Sequence, residues 1–367
     1  MSGSNPSDIL SIITQLMFMA FLLMAFTGAD QRFRMYIWAR NIKSKMDEIK
    51  EMSDKSKKDT IDFLKKIGVK RAEEIVNELT EFFTINPVDI EPTDITKRMA
   101  HIFRTSLLEW ERKLEEGAVE EIPKHVKHNA LVLIEIANSL NVIYKVIRHY
   151  LLYALKNNNL FLIMQLWMIM PQIVKMSKTL DKARETFKHC RPIGDSVGPL
   201  VAYKLLERKK RLWHPAKDTV AGEVEIEGRK VIVVKAEGPG ATVGNPGEAI
   251  KKVIEGMRGQ VDLIITVDAA LKLEGEESGS IAEGAGAAIG DPGPEKIAIE
   301  RVATRYNIPL QAIVIKMSNE EAITDMTKKI AMAADEAVKR VIDKVKSLPE
   351  KSVVLVAGIG NTCGVAQ

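Results

Sequence analysis

Few residues in this chain have the type and spacing to do chemistry. They are two cysteines, Cys190 and Cys363, two acids, Asp195 and Asp268, and a set of glycine-rich loops. Two cysteines exclude a disulfide framework and zinc-ribbon spacing. In a cytoplasmic setting they read as buried thiols, with a disulfide or a metal shared with Asp195 as alternatives. His101, His125, His128 and His149 show no metal-ligand spacing, and no cofactor is expected. The run Gly238-Pro239-Gly240-Ala241-Thr242-Val243-Gly244 follows an apolar strand and precedes a helix opening at Asn245-Pro246 with Glu248. That form suits a phosphate cradle, which makes Gly238, Gly240 and Gly244 candidate nucleotide- or phosphate-binding residues. Yet neither glycine loop has dinucleotide spacing, there is no Gly-Lys-Ser/Thr, and tight packing turns explain the glycines equally well. Read alone, Asp195 is a helix N-cap and Asp268 a strand-end turn residue. Glu274, Glu276, Glu277 and Glu283 form either an acidic lid or a solvated run.

The elements that must position these residues fall into two kinds of chain. Of 23 glycines, 19 follow Cys190, whereas 17 of the 20 aromatic residues precede it. Before the join the pattern is helical. Asp59 is placed to cap a helix running to Phe83, Asn86-Pro87 and Glu91-Pro92 break it, and Thr93 or Asp94 starts the next. Val126 to Lys156 has one apolar face, Asn157-Asn158-Asn159 is a turn, and Leu160 to Met170 is nearly all apolar, too short to span a bilayer and suited to a core or an oligomer interface. After Cys190 helices alternate with short apolar strands. The spacing predicts a helix from Asp195 to Arg211 and strands at Val231–Lys235, Val261–Val267, Leu310–Ile315 and Val353–Ala357. It also predicts helices at Asn245–Met257, Glu295–Tyr306 and Glu320–Ser347, with a loop between Leu273 and Pro294. Such alternation predicts a mostly parallel α/β three-layer sandwich.

Ile9 to Phe26 is apolar apart from Ser11, Thr14 and Gln15, about long enough at ~1.5 Å per residue to cross the ~30 Å hydrocarbon core. No Lys or Arg precedes it, which argues for an uncleaved anchor rather than a signal peptide. Residues 30–58 carry nine Lys/Arg against five Asp/Glu, while 191–367 carry 25 of each sign. The basic excess is therefore local, which excludes a broad nucleic-acid surface. It places a single-pass helix with the N-terminus outside and the main body cytoplasmic. The organisation expected is an extracytoplasmic stretch 1–8, a transmembrane helix 9–28, a basic juxtamembrane segment 29–58 facing lipid headgroups, an all-α bundle 59–190 and an α/β domain 191–367. The anchor and the Met-rich helix point to a homo-oligomer.

One oddity is topological. The last strand ends in Gly358-Ile359-Gly360-Asn361-Thr362, a loop of the kind that leads into a helix, yet no helix follows it. The helix at Gly194-Asp195-Ser196-Val197-Gly198-Pro199 has no strand before it. A circular permutation accounts for both. The two halves together resemble a motif of the phosphorylase/hydrolase-like fold of the spore germination protease and hydrogenase maturation proteases: a Gly-Xaa-Gly-Asn loop, then an acid before a small residue and Gly-Pro. Val267-Asp268-Ala269-Ala270-Leu271, followed by Gly284-Ala285-Gly286-Ala287-Ala288-Ile289-Gly290, is similar to its second motif, and Ile308-Pro309-Leu310 to the strand after it. The whole chain is also similar to an uncharacterised archaeal family of membrane-anchored proteins. The protease resemblance implies a site at Asp195 and Asp268, with Gly194, Ser196, Gly198, Gly284, Gly286, Gly358, Gly360 and Asn361 lining the cleft, and a peptide or protein substrate. One branch of that fold uses an aspartic-type pair, the other a divalent metal with a His. Here His214 lies outside either motif, which favours the carboxylate pair over a metal. Both acids are expected at the carboxyl ends of strands, where open α/β sheets bind ligands. Two close carboxylates share a proton, so one acts as base for water and the other as acid. Asp195, at a helix start, is the expected base and Asp268 the acid. A nucleotide- or phosphate-binding regulator and a membrane-tethered scaffold without catalysis stand as the alternatives.

Overall fold

The computed structural model describes residues 13–19, 29–82, 92–207, 211–290 and 293–367. The expected anchor therefore lies largely outside the described residues; 13–19 are helical, with exposed side chains. Five long or medium helices precede the sheet: α1 (Ala29–Lys66), α2 (Ala72–Leu79), α3 (Pro92–Gly117), α4 (Lys124–Lys156) and α5 (Leu160–Lys188). The chain divides into two compact units, residues 1–54 with 140–178, and 55–139 with 179–367. In the first, residues three and four apart make one buried stripe per helix: Ile42, Met46 and Ile49 on α1, Ile147, Leu151 and Ala154 on α4, and Ile163, Leu166 and Met170 on α5. Trp38 stacks on Trp167 with ring centroids 5.6 Å apart. The Asn159 side chain caps α5 by accepting the Leu162 N–H at 3.0 Å. The Leu160–Met170 stretch is thus core on one face, while Phe161, Trp167, Met168 and Ile169 are exposed on the others. Among the described residues, α4 and α5 are long and apolar enough to cross a membrane, by length and composition alone; both are internal to the chain.

In the second unit, Leu64, Ala72, Val76 and Leu79 pack against Leu114, Ala130 and Ile134. Asp59 caps nothing. It lies inside α1 and pairs with Arg184 of α5. The Arg184 side chain is fully buried and also meets Asp181 at 2.9 Å and Glu185 at 2.7 Å. A guanidinium so enclosed needs every one of these carboxylates, and removing one partner of such a group typically costs about 3–5 kcal/mol.

The sheet of the same unit has seven strands: β1 (Arg211–Ala216), β2 (Thr219–Ile226), β3 (Arg229–Ala236), β4 (Leu263–Leu271), β5 (Ile281–Ala285), β6 (Leu310–Met317) and β7 (Val353–Gly358). Their order is β1-β2-β3-β7-β4-β6-β5. The sheet is mixed, correcting the expectation of a mostly parallel one. β3, β7, β4 and β6 run parallel, whereas β1–β2, β2–β3 and β5–β6 pair antiparallel. The difference has a local cause. Glu227 and Gly228 both have positive φ (45° and 73°), the requirement of a tight two-residue hairpin turn, and they fold β2 back on β3 with Ile226 opposite Arg229. The helix expected to reach Arg211 ends at Leu206, because β1 begins there instead. Part of the expected loop at 273–294 is the edge strand β5.

Helices α6 (Val197–Leu206) and α10 (Lys328–Lys346) cover one face of the sheet, and α7 (Pro246–Gly256) and α8 (Pro294–Arg305) the other. The single helix expected over Glu320–Ser347 is two, α9 (Asn319–Ile323) and α10, because Thr327 caps α10 anew through Ile330 N–H. The break has a use. Thr324 C=O accepts the Gly194 N–H and Pro192 C=O accepts the Met326 N–H, so the chain entering this domain is fastened there.

Candidate functional site

The site is built where the start of α6 meets the end of β7 and the part of β4 at which its pairing with β7 stops. A single turn of 3₁₀ helix, Gly194–Ser196, leads into α6. α6 lies so close to the sheet that a Cβ on Gly198 would strike the carbonyl oxygens of Val267 and Ile359, and one on Gly358 the carbonyl of Gly198. Gly360, at φ +126°, turns the chain under Asp195, whose carbonyl a Cβ there would meet. Ile359 N–H donates to Val267 C=O at 2.8 Å and continues the β7–β4 contact past the strand end. These close approaches bring together the two segments that the sequence separates, 194–199 and 358–361.

The consequence for side chains is direct. Asn361 N–H donates to Asp195 Oδ2 at 2.8 Å. Ser196 Oγ donates to Cys363 C=O at 3.0 Å and accepts the Ile193 N–H. Asn361 Oδ1 in turn accepts the Cys363 N–H at 2.9 Å. Asp268 is not the strand-end turn residue expected: β4 continues three residues beyond it, paired with β6, and only its pairing with β7 stops at Val267. Asp268 is 4% exposed and accepts from Ala269 N–H at 2.7 Å and from Gly290 N–H. Burial raises the carboxyl pKa of both acids above the ordinary range. Asp268 is raised further by the negative charge of Asp195, while the Asn361 N–H pulls Asp195 back down. The charge of Asp195 thus reaches Asp268.

Gly194, Ser196, Gly198, Gly358, Gly360 and Asn361 gather around Asp195, the end of β7 and Val267 of β4. Gly284 and Gly286 do not pack there. They sit on and just after the edge strand β5, where a Cβ would meet nothing within 4 Å. Gly290, further along the same loop, is the residue that reaches Asp268. The glycines of the other loop serve packing: a Cβ on Gly238 would strike Val365 C=O, one on Gly240 the backbone of His125, and Gly244 has φ +59°. Several N–H groups of this loop and of the helix start after it already have acceptors. Ala241 N–H donates to Asn129 Oδ1 at 2.9 Å and Asn245 N–H to Thr219 Oγ1 at 2.8 Å. Gly247 N–H, in the first turn of α7, donates to Glu295 Oε2 at 2.6 Å, and Glu248 N–H to the same oxygen at 3.3 Å. A carboxylate from α8 therefore stands where an anion would sit.

Sequence reasoning missed three groups. Glu295 reads in the sequence only as a helix start, because its partners are some 47 residues away. Lys235 is fully buried at the end of β3, opposite Gly358, and donates to Ala236 C=O at 2.9 Å and Gln367 Oε1 at 3.2 Å. Burial brings its ammonium down to a pKa of about 8. A lone lysine closing the apolar run Val231–Val234 was the available signal. Thr362, also buried, donates its hydroxyl to Gly240 C=O at 2.8 Å and ties the last loop to the glycine turn. His214 pairs with Glu237 at 3.2 Å. Among the described residues no group of three His, Cys, Asp or Glu is arranged to hold a metal ion. The donor set at Asp195 and Asp268 is two carboxylates without an imidazole.

Elsewhere in this unit a cavity of about 580 Å³ is lined by Glu111, His128, Lys217 and Asp218, with His128 Nε2 3.8 Å from Asp218 Oδ2. It contains none of the residues around the acid pair. No curated protein matches the chain. Residues 16–190 match a family model described as the DUF1512 N-terminal domain, a protein of unknown function, and residues 193–366 match the DUF1512 C-terminal domain of unknown function, so the two meet beside Cys190 and the chain belongs to the DUF1512 family.

Proposed function

We propose that the protein is a membrane-anchored hydrolase of the aspartic type, in which water is activated between Asp195 and Asp268 to cleave a peptide bond. The observation that carries this reading is the approach of 194–199 to 358–361, which fixes Asp195 through the Asn361 N–H at 2.8 Å and brings its charge near enough to the buried Asp268 to raise that carboxyl's pKa. Asp195 then takes a proton from water and Asp268 gives one to the leaving amine. The approach of 194–199 to 358–361 supports a permuted relative of the hydrolase-like fold. Saturation of the α7 N-terminus by Glu295 favours this reading over the phosphate-binding one.

The basic stretch Arg32, Arg34, Arg40, Lys43 and Lys45 supports an anchor at 9–28 with the N-terminus outside and the remaining chain in the cytoplasm. Exposed Phe161, Met168, Ile169 and Met176 on α5 support association between copies. The test is cleavage of a peptide library by the full chain in detergent, compared with Asp268→Asn and Asp195→Asn. Loss of cleavage in both, with the fold intact by circular dichroism, is the expected result. Cleavage that survives either substitution refutes the pair. A wild type that cleaves nothing leaves a tethered scaffold as the function.

A further inference from the structure

The two cysteines of the chain, far apart in sequence, meet. Cys190 follows α5, and Cys363 belongs to the loop that carries Asn361. In its thiol form Cys190 donates from Sγ to Pro239 C=O at 3.1 Å, and the same carbonyl accepts the Gly364 N–H at 3.0 Å. Gly364 packs so closely on Arg191 and Pro192 that a Cβ there would clash with their backbone. The backbones on either side of the thiols are therefore in contact, and the two thiols are near enough for each to shift the other's pKa. Asn129 and the Gly364 N–H also face that sulfur. Cys190 is half-buried, whereas Cys363 is fully buried. A cleft of about 560 Å³ opens beside them, lined by Arg191, Pro192, Tyr203, Asp325, Gly364 and neighbours.

We propose that Cys190 and Cys363 are a dithiol–disulfide exchange site, which takes a low-molecular-weight disulfide and closes into an intramolecular disulfide. Cys190 is the attacking thiol, being the more exposed. The hydrogen bonds from Cys363, Asn129 and Gly364 stabilise its thiolate and bring it down to a pKa of about 5. The neighbouring Cys190 sulfur and then burial push Cys363 up, which suits a resolving thiol that reacts only when its partner has been modified. The thiolate of Cys190 attacks one sulfur of the incoming disulfide, forming a mixed disulfide and releasing one thiolate. That thiolate takes the Cys363 proton. Cys363 sulfur then attacks Cys190 Sγ and expels the second thiolate. Two protein thiols are oxidised and one small disulfide is reduced to two thiols. Closure locks the loop whose Cys363 carbonyl holds Ser196 and whose Asn361 N–H holds Asp195. The thiol chemistry is independent of hydrolysis and is read without it.

The test uses the reduced full chain in detergent, incubated with oxidised glutathione, alkylated and analysed by mass spectrometry. The expected product is a monomer lighter by two hydrogens, with one Cys190–Cys363 cross-linked peptide and no lasting adduct. Cys363→Ser is expected to accumulate glutathione on Cys190, and Cys190→Ser to leave Cys363 unmodified. Either variant is read only if it folds, and the wild-type result decides alone. Glutathione adducts on both cysteines, cross-links between chains, or two thiols still free under oxidising glutathione each overturn the proposal.

Discussion

Replacing Gly198 with Ala puts one methyl group into the most crowded part of the site. The new Cβ would meet two carbonyl oxygens, of Val267 and Ile359, and Ile359 N at 2.9 Å. All three are backbone atoms, of mid-β4 and of the residue just past β7, so no side chain can swing away. Relief requires α6 to lift by about 1 Å, and overpacking of this kind costs about 1–3 kcal/mol. With a urea slope near ~2 kcal/mol per M, the unfolding midpoint falls by roughly 0.5–1.5 M. The same movement stretches the 2.8 Å bond from Asn361 N–H to Asp195, and a shift of about 1 Å takes it out of hydrogen-bonding range. Any hydrolysis that depends on this geometry drops by about 10²-fold. The assay is urea unfolding followed by circular dichroism, beside the peptide cleavage assay. Gly284→Ala is the control, since its Cβ meets nothing within 4 Å, and its midpoint should change little. A Gly198→Ala protein that unfolds at the wild-type midpoint would refute the close approach of α6 to the sheet.

Other expectations follow from the same contacts. Glu295→Ala leaves two N–H groups at the start of α7 without their carboxylate, a loss of about 1–3 kcal/mol measurable as a lower urea midpoint. Asp268 has a raised folded pKa, so its contribution to stability is full below the unfolded value and is lost as pH rises through the folded one; Asp268→Asn should flatten the decline in stability from acid to neutral pH. Lys235 has a lowered pKa of about 8 against an ordinary 10.5, so the folded state binds its proton more weakly and stability rises as pH climbs from 8 to 10.5. Lys235→Met should therefore gain up to about 3 kcal/mol at pH 7 and lose that advantage near pH 10.5, and a gain independent of pH would sink the account.

The residues legible in the sequence were those whose partners lie nearby or whose chemistry is local. The stripes Ile42–Met46–Ile49 and Ile147–Leu151–Ala154 obey helical spacing, and the central strands are short apolar runs, so both were readable from periodicity. Gly358-Ile359-Gly360-Asn361 and Gly194-Asp195 could be matched as halves of one loop because strand and helix signals were each missing a mate. The hairpin of β2 on β3 was overlooked, although Glu227-Gly228 between alternating residues is a turn signal. Asp59 looked like a cap because its partner Arg184 lies 125 residues on. Glu295 and Thr362 act only across the fold, and no local pattern encodes such a contact.

The position of β7 sets the order in which this domain can assemble. Val353–Gly358 follows the other six described strands in sequence, yet it lies between β3 and β4, and β3 pairs with β4 only through it. Until Gly358 has left the ribosome, β1–β2–β3 and β4–β6–β5 are two half-sheets, each with an unpaired edge exposed to neighbouring chains. Completion is thus a late, non-local step with high contact order, and the growing chain must keep those two edges apart from other polypeptides while it waits.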